Sequence, residues 1–302
     1  MNNIVEKINQ LKNQKKAVIL AHYYAPQEAQ EIADYVGDSF YLAKVAKSTD
    51  ADIVVFCGVG FMGESVKRLN PEKTVLMPDI SADCPRAHMA QIHRIKELKQ
   101  QYPDLAVVCY INSTAELKQL SDVCVTSSNA VKIIKEIPNK NIFFIPDENL
   151  GRYVAQQVPD KNVILNDGRC PIHAQITKES VEKLKTLYPR ALILTHPECT
   201  KEIVDMSDFI GSTSEIISYA NTSDSKEFII CTESGVSYPL KKNNPEKKFY
   251  FPDTCPPCAD MKLNTLEKIL YVLETGNNSV SVPSNIRKEA LLPLDKMLEI
   301  GK

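Results

Sequence analysis

The sequence contains three copies of one pattern, and this internal repeat constrains the fold more than any other feature. Strand-like apolar runs end at His22, Tyr110 and His196, and a segment with helical periodicity precedes each run. Counted from these residues, a second motif (ADYVGDS, SDVCVTS or SDFIGST) ends 17 positions later in every copy, and a fourth apolar run begins 52 positions later. Equal spacing at several points predicts three homologous units in one chain.

Each copy spans 86 to 88 residues and alternates short apolar runs with helical patterns, which is typical of a small parallel-sheet unit. The predicted fold class is therefore α/β, with three homologous parallel-sheet domains in a pseudo-threefold arrangement. The predicted domains are residues 1–86, 87–172 and 173–262, followed by C-terminal helices over 263–302. If the helix that follows the cysteine of each copy packs on the next domain, these last helices are expected to pack back on the first domain.

Composition limits the class of partner. The chain has 302 residues, is 43% hydrophobic and carries a formal net charge of -2, with lysine and arginine spread along its length. This pattern offers no basic stripe for nucleic acid or for an anionic membrane. No apolar run approaches the roughly 18 residues of a membrane span. We therefore expect small-molecule substrates and a cytoplasmic location, where the nine cysteines would not form a disulfide framework.

The ends of the first strands are candidate site positions. Functional side chains gather beyond the carboxyl ends of parallel strands, so His22, Tyr110 and His196 are expected to face one side of their domains. The hydroxyl residues that end the second motif precede helical patterns, where they are expected to cap the helices and where anions also bind. These residues are Ser39, Ser127 and Thr213.

A cysteine follows the fourth apolar run in every copy. Cys84 and Cys170 lie 62 and 60 positions after the first-strand ends, and the third copy offers Cys258 at 62 or Cys255 at 59. The spacing favours Cys258 and leaves Cys255 open. Helical patterns follow the candidates, so a helix dipole is expected to lower the pKa of each thiol. Cys199 lies in a loop and is undecided, whereas the cysteines inside apolar runs are interpreted as core residues: Cys57, Cys109, Cys124 and Cys231.

Three equivalent cysteines, one in each copy, predict a metal centre shared by three domains. With no fourth cysteine or histidine at a matching position, three thiolates suit a cubane iron-sulfur cluster in which one iron has no protein ligand. Such an iron can act as a Lewis acid on a hydroxyl or carboxylate. A zinc ion with three thiolates and an open position is the alternative. His88, His93 and His173 are further ligand candidates, but solvated or capping roles are expected for them.

Several ordered motifs make essentially the whole chain similar to the quinolinate synthase family of bacteria and archaea. The matching segments are AHYY, ADYVGDS, YINSTAE, TSSNAV, PDENLG, CPIH, HPEC, GST and CADMK. The resemblance implies one 4Fe-4S cluster per chain, bound by one cysteine from each domain, with the active site on their common axis. It implies Cys84, Cys170 and Cys258 as ligands, because the family's third ligand is the cysteine followed by two residues and then Met-Lys. Cys255 is then an additional thiol.

The same resemblance implies condensation of iminoaspartate with dihydroxyacetone phosphate to quinolinate, phosphate and water, which feeds de novo NAD synthesis. It also suggests a functional link to an enzyme that produces the unstable iminoaspartate. Glu198 is the expected general acid/base, Tyr24 and Tyr110 are expected orienting or proton-relay groups, and His22 and His196 are competent proton carriers. By motif match, the expected substrate contacts are His22, Ser39, Tyr110, Ile111, Asn112, Ser127, His196, Pro197, Glu198 and Thr213.

Two segments depart from the family pattern. ADCPRAHM stands where ATCPMANM is common, which places Asp83, Arg86 and His88 near the first ligand, and Arg169 directly precedes the second.

Three other functions fit part of the pattern. The iron-sulfur reductase of isoprenoid synthesis and the radical enzyme of diphthamide synthesis also use one cysteine from each of three domains, but they lack the combined AHYY, YINST and HPEC set. A non-catalytic iron or redox sensor would need a surface for a macromolecular partner, and the charge pattern offers none.

A reversible disulfide between Cys255 and Cys258 is a further alternative when no cluster is bound.

Overall fold

The computed structural model describes the backbone of residues 2–282 and 284–301. Its elements form three successive units with the same order of strands. The strands of the first unit are β1 (Ala17–His22), β2 (Tyr35–Gly37), β3 (Ile53–Cys57) and β4 (Thr74–Leu76). Those of the second unit are β5 (Ala106–Tyr110), β6 (Val123–Val125), β7 (Asn141–Ile145) and β8 (Asn162–Leu165). Those of the third unit are β9 (Leu192–Thr195), β10 (Phe209–Ile210), β11 (Glu227–Cys231) and β12 (Lys248–Tyr250).

Helices connect these strands. The first unit contains α1 (Asn2–Gln14), α2 (Gln27–Ile32), α3 (Ser39–Ser48) and α4 (Gly60–Leu69). The second contains α5 (Ile92–Gln101), α6 (Ala115–Gln119), α7 (Ala130–Glu136) and α8 (Glu148–Gln157). The third contains α9 (Lys178–Leu187), α10 (Lys201–Val204), α11 (Thr213–Thr222), α12 (Ser237–Asn243) and α13 (Ala259–Lys262), and it is followed by α14 (Leu266–Thr275) and α15 (Ser284–Ile300). Short 3-10 helices occupy Pro85–His88, His173–Gln175 and Ser234–Val236.

Each unit is a four-stranded sheet in which the first strand lies between the second and the third. The strand orders are β2-β1-β3-β4, β6-β5-β7-β8 and β10-β9-β11-β12. All the pairings in these sheets are parallel, so each step from strand to strand needs a crossover connection. This arrangement confirms the predicted α/β class with three homologous units.

One hydrogen bond recurs in all three units and fixes the second strand against the first. An aspartate just before the second strand accepts a backbone N–H of the first strand, one residue before the pairing of the two strands begins. The bonds are Asp34 with Ile19 at 2.8 Å, Asp122 with Val107 at 2.7 Å and Asp208 with Ile193 at 2.8 Å. Each satisfies a buried N–H that the sheet leaves without a partner, which sets the register.

The first and third strands of each unit are largely buried in the apolar core, and the cysteines inside the strands are buried as predicted. Cys199, which the sequence left undecided, is also buried, in the apolar cluster of the third unit. The buried strand cysteines are Cys57, Cys109, Cys124 and Cys231. Within the described residues, no helix combines the length and the apolar character that crossing a membrane requires.

The two C-terminal helices pack on different units. α14 lies against α1 on the first sheet, where Ile269 and Leu273 join Ile8 and Leu76 in one apolar cluster. α15 packs against α6, β6 and α7 of the second unit and against α4 of the first. α14 therefore lies on the first unit, where both helices were expected, whereas α15 contacts both the first and the second unit. The domain boundaries stay a prediction.

Leu294 and Leu292 give a matched test of the packing of α15. Leu294 is fully buried, whereas Leu292 is 71% exposed. Leu294→Ala is expected to lower the free energy of unfolding by about 2–5 kcal/mol, because it removes buried methyl groups and leaves a cavity. Leu292→Ala should change it by less than about 0.5 kcal/mol. Anaerobic urea unfolding followed by circular dichroism measures both, and equal effects would contradict this packing.

Candidate active site and metal centre

A cavity of about 270 Å³ lies where the three units meet. The first strands end at its wall, because His22 closes β1, Tyr110 closes β5 and His196 follows β9. The predicted site residues that line it are His22, Tyr24, Ser39, Cys84, Tyr110, Asn112, Ser127, Cys170, His196, Glu198, Thr213 and Cys258. The carboxyl ends of three parallel sheets therefore contribute to one site.

Two of the expected contact residues, Ile111 and Pro197, do not line this cavity. The Ile111 side chain is 1% exposed and lies in the apolar core. Pro197 borders a separate cavity of about 170 Å³. Each residue directly follows a residue that does line the cavity, Tyr110 or His196.

The hydroxyl residues of the second motif do not cap their helices, contrary to the prediction. Asp38 and Ser212, one residue earlier, hold the cap positions of α3 and α11 and accept a helix N–H through their side chains. Ser39 and Thr213 are instead the first helical residues, and Ser127 lies in the turn before α7. Because Asp38 and Ser212 satisfy the helix ends, Ser39 and Thr213 can line the cavity, and Ser127 lines it from its turn.

Cys84, Cys170 and Cys258 reach the cavity from the three units, after β4, β8 and β12. All three are half-buried, and a charge on either of the other two would raise the pKa of Cys84, so the sulfurs lie within electrostatic range. Three soft sulfur donors fit a thiolate-bound iron or zinc centre. Cys255 differs, because its Sγ donates to the Thr232 carbonyl at 3.3 Å and packs on the third unit's core.

Burial raises the pKa of Cys84 to about 12 and that of Cys258 to about 11. The prediction that helix starts lower the pKa of these thiols is therefore wrong for both. The helices that follow, Pro85–His88 and Ala259–Lys262, are single turns with weak dipoles, and loss of water around the sulfur outweighs them. A bound metal would supply the positive charge that a buried thiolate needs.

Arg86 is buried where the units meet. Its Nη1 lies 2.6 Å from Glu198 and 2.9 Å from Asp147, and its Cζ lies 4.7 Å from the centre of the Tyr110 ring. Its Nε is buried and has no hydrogen-bond partner in the described part of the chain. Arg86, from the first unit, therefore joins carboxylates of the second and third units and keeps one donor that no protein group satisfies.

His173 is buried and central rather than solvated or capping, so that expectation is wrong. Its Nδ1 lies 3.2 Å from Cys170 Sγ and 3.1 Å from a Glu198 oxygen, and its Nε2 lies 2.9 Å from the Thr232 hydroxyl. Burial opposes a charged ring, but the charge of Cys170 and the hydrogen bonds to Cys170 and Glu198 raise the pKa of His173 to about 10. Cys170, His173 and Glu198 also form a compact group of potential metal ligands, whose donor atoms lie within 4.8 Å of one another.

His22 and His196 are neutral, because burial lowers the pKa of each to about 3. Their Nδ1 atoms accept backbone N–H bonds, His22 from Tyr24 at 3.1 Å and His196 from Glu198 at 3.3 Å. These bonds place the ring proton on Nε2. Each imidazole can therefore donate one hydrogen bond to a ligand oxygen.

A chain of hydrogen bonds connects the first and third units through Tyr24. Its hydroxyl lies 2.8 Å from the Thr213 hydroxyl and 2.8 Å from the Thr232 hydroxyl, and Thr232 continues to His173. Burial raises the pKa of Tyr24 and of Tyr110 well above the ordinary value of a phenol. Both phenols therefore keep their protons at neutral pH.

Glu198 is held as an anion. Burial alone would raise its pKa, but the Arg86 guanidinium and the hydrogen bond and charge of His173 outweigh that effect and hold the pKa of the carboxyl well below its usual range. In this environment the carboxylate is a hydrogen-bond acceptor and a partner for cations.

The other residues that depart from the family pattern are exposed, and Asp83 among them also lines the cavity. His88 and Asp83 pair at 2.7 Å with both side chains more than half exposed. His93 is exposed on α5, as expected for a solvated histidine, and Arg169 is exposed beside the second ligand.

The structure gives Arg86 and His173 buried places in the site and adds two buried carboxylates, Glu233 on the cavity wall and Asp147 paired with Arg86. The repeat carries a signal for the carboxylates, because each lies 37 positions after the first-strand end of its unit, 110 to 147 and 196 to 233. No sequence signal separates Arg86 or His173 from an exposed residue of the same type, since burial of a charge depends on its partners in the fold.

A family model described as NadA, quinolinate synthetase A protein, matches residues 6–299. The quinolinate synthase of Fusobacterium nucleatum subsp. nucleatum is 54% identical over 296 residues, which cover 98% of this chain and 99% of that relative. The quinolinate synthase of Sulfurihydrogenibium sp. is 50% identical over 305 residues, which cover 99% of both chains. The quinolinate synthase of Clostridioides difficile is 51% identical over 300 residues, again 99% of both. The resemblance seen in the motifs is confirmed.

Proposed function

We propose that this chain, which belongs to the quinolinate synthetase A family and is an enzyme of NAD biosynthesis, condenses iminoaspartate with dihydroxyacetone phosphate. The products are quinolinate, phosphate and water. The proposed cofactor is one 4Fe-4S cluster per chain, held by Cys84, Cys170 and Cys258. The observation that supports this most directly is that these cysteines, one from each unit, line the same cavity as Arg86 and Glu198.

The cavity suits substrates that carry carboxylate and phosphate groups. Arg86 offers a buried Nε without a protein partner, and His22 and His196 offer Nε2 donors. The ten-residue helices α3 and α11 begin at Ser39 and Thr213 on the cavity wall, and helix starts favour anions. We expect the anionic groups of the substrates to bind among these donors.

Tyr24, Tyr110 and Glu198 are the proposed groups for proton movement. The phenols keep their protons and Glu198 is an acceptor, so together they can serve both halves of a proton transfer. The hydrogen bonds from Tyr24 through Thr232 and His173 to Glu198 offer a path for a proton between donor and acceptor.

The cluster, when bound, would supply a Lewis-acidic iron that polarises a hydroxyl or carboxylate oxygen of the substrate. The donor set fits it, because three thiolates lie in one cavity and no fourth cysteine lines that cavity in the described part of the chain. A zinc ion on the same thiolates, or on Cys170, His173 and Glu198, is the alternative. Iron and acid-labile sulfide content separate the two.

We also infer a cytoplasmic location and a functional link to an enzyme that forms iminoaspartate. All nine cysteines are free thiols, which suits a reducing compartment. Iminoaspartate is unstable, so a reaction that produces it must operate close to its use.

Anaerobically prepared protein is expected to form quinolinate from iminoaspartate and dihydroxyacetone phosphate without ATP, a nicotinamide nucleotide or added reductant. Exposure to air should abolish activity and the brown colour together, because an iron without a thiolate ligand is open to oxidants. Quinolinate, iron and absorbance are measured in the same samples. Activity that survives complete cluster loss would contradict the proposal, and turnover of an allylic diphosphate or of S-adenosylmethionine would indicate one of the related enzyme classes.

A further inference from the structure

A buried carboxylate follows the third strand in two of the three units. Asp147 comes two residues after β7, and Glu233 comes two residues after β11, and both are fully buried. Each accepts the backbone N–H of the cavity cysteine of its own unit. Cys170 donates to Asp147 Oδ2 at 3.0 Å, and Cys258 donates to Glu233 Oε1 at 3.0 Å. The same bond therefore occurs twice at equivalent positions of the repeat.

Each carboxylate is itself held in place by a further backbone N–H and by a cation. Asp147 accepts the Leu150 N–H at 2.9 Å and pairs with Arg86 at 2.9 Å. Glu233 accepts the Gly235 N–H at 2.6 Å and pairs with Lys262 at 3.0 Å. Both cations come from segments that follow a cavity cysteine, since Arg86 lies two residues after Cys84 and Lys262 four residues after Cys258. The pairs compensate the buried negative charges next to the thiols.

The first unit has no such carboxylate at this position. Val59 occupies it, 37 residues after His22 and two residues after β3 ends at Cys57. The apolar side chain of Val59 cannot accept the Cys84 N–H. The loop before Cys84 is held by other bonds, from the Gly60 N–H to the Ala82 carbonyl at 2.8 Å and from the Asp83 N–H to Asp260 at 3.2 Å.

We propose that Asp147 and Glu233 are positioning residues that fix the backbone of Cys170 and Cys258 so that their thiolates are directed into the cavity before a cluster binds. This inference rests on the proposed function, because it assumes that these cysteines hold the cluster. Hydrogen bonds to an ionised acceptor are short and directional, and groups that orient metal ligands typically change metal retention 10- to 100-fold. The first unit orients its ligand without such a residue.

The test compares loss of the acceptor with its conservative replacement. Asp147→Ala and Glu233→Ala are expected to lose the reconstituted cluster about 10- to 100-fold faster than the parent enzyme in anaerobic chelator. Asp147→Asn and Glu233→Gln keep an oxygen that can accept the cysteine N–H, so their loss rates should return towards that of the parent. The electron paramagnetic resonance spectrum of the reduced cluster should shift in the alanine variants and return in the amide variants.

Asp122→Asn and Asp208→Asn are matched controls. These carboxylates also accept a backbone N–H in the second and third units, but it belongs to a residue of the first strand and not to a cavity cysteine. They are expected to retain the cluster at the parent rate with the parent spectrum. Cys258→Ala, which is expected to hold no cluster, gives the cluster-free baseline.

Hydrogen exchange in the cluster-free parent tests the proposal without any variant. The backbone N–H groups of Cys170 and Cys258 should exchange more slowly than that of Cys84, because buried carboxylates accept them. Alanine variants that keep the parent rate and spectrum, or equally fast exchange at all three cysteines, would overturn the positioning role. A parent enzyme that binds no iron on reconstitution would instead overturn the proposed function.

Discussion

Cys258→Ala is expected to give colourless protein that forms no detectable quinolinate, and Cys84→Ala and Cys170→Ala should behave in the same way. The three sulfurs reach one cavity from three units, so removing any of them leaves a cluster with only two thiolates, which is too few for it to persist. Iron and sulfide content, visible absorbance and quinolinate formation, all measured anaerobically after reconstitution, test the expectation. Circular dichroism shows whether each variant has folded.

Cys255→Ala is the matched control, three residues away in the same segment. Its Sγ contacts the Thr232 carbonyl and the apolar core of the third unit, and it does not line the cavity. The variant should keep its cluster and most of its activity. Cluster loss in Cys255→Ala together with retention in Cys258→Ala would show that Cys255 is the ligand. Better survival of Cys255→Ala in oxidants would point to a disulfide between the two cysteines.

The fold could be predicted because the sequence features that specify it recur at equal intervals along the chain. Equal spacing of the strand-like runs requires three units of one type, and the observed strand orders repeat in the same way. β1 and β5 end at the predicted residues, whereas His196 lies one residue beyond β9. The path of α15 could not be predicted, because an amphipathic helix can cover any apolar surface and the sequence does not say which surface is left uncovered.

The strand-end residues of the site could be predicted for the same reason, since the repeat places them at equivalent positions. The helix-cap residues were more difficult to predict, because Asp38 and Ser212 are as suitable for capping as Ser39 and Thr213. A shift of one residue decides which of the two side chains caps the helix and which faces the cavity. The buried position of Arg86 could not be predicted from the sequence. Its place depends on Asp147 and Glu198, which come from two other units, and only the assembled fold brings them together.

Glu198→Gln is expected to lower kcat about 10²- to 10⁴-fold, the range for loss of a positioned proton-transfer group, while the cluster is retained. The carboxylate lies between Arg86 at 2.6 Å and His173 at 3.1 Å, and it ends the hydrogen-bond path from Tyr24. The amide has nearly the same size, so the change removes the charge and leaves the packing. Iron content, kcat and KM are measured for each variant.

Glu227→Gln is the control for the loss of one carboxylate from the third unit. Glu227 begins β11, at the opposite end of that strand from the cavity, and accepts a hydrogen bond from the Tyr250 hydroxyl at 3.1 Å. This variant should keep the parent kcat and the parent iron content. A kcat for Glu198→Gln within twofold of the parent, in protein with a full cluster, would exclude Glu198 from the chemical steps. A rise in KM with an unchanged kcat would assign Glu198 to substrate binding alone, because an interaction lost equally from the ground state and the transition state leaves the chemical rate unaltered.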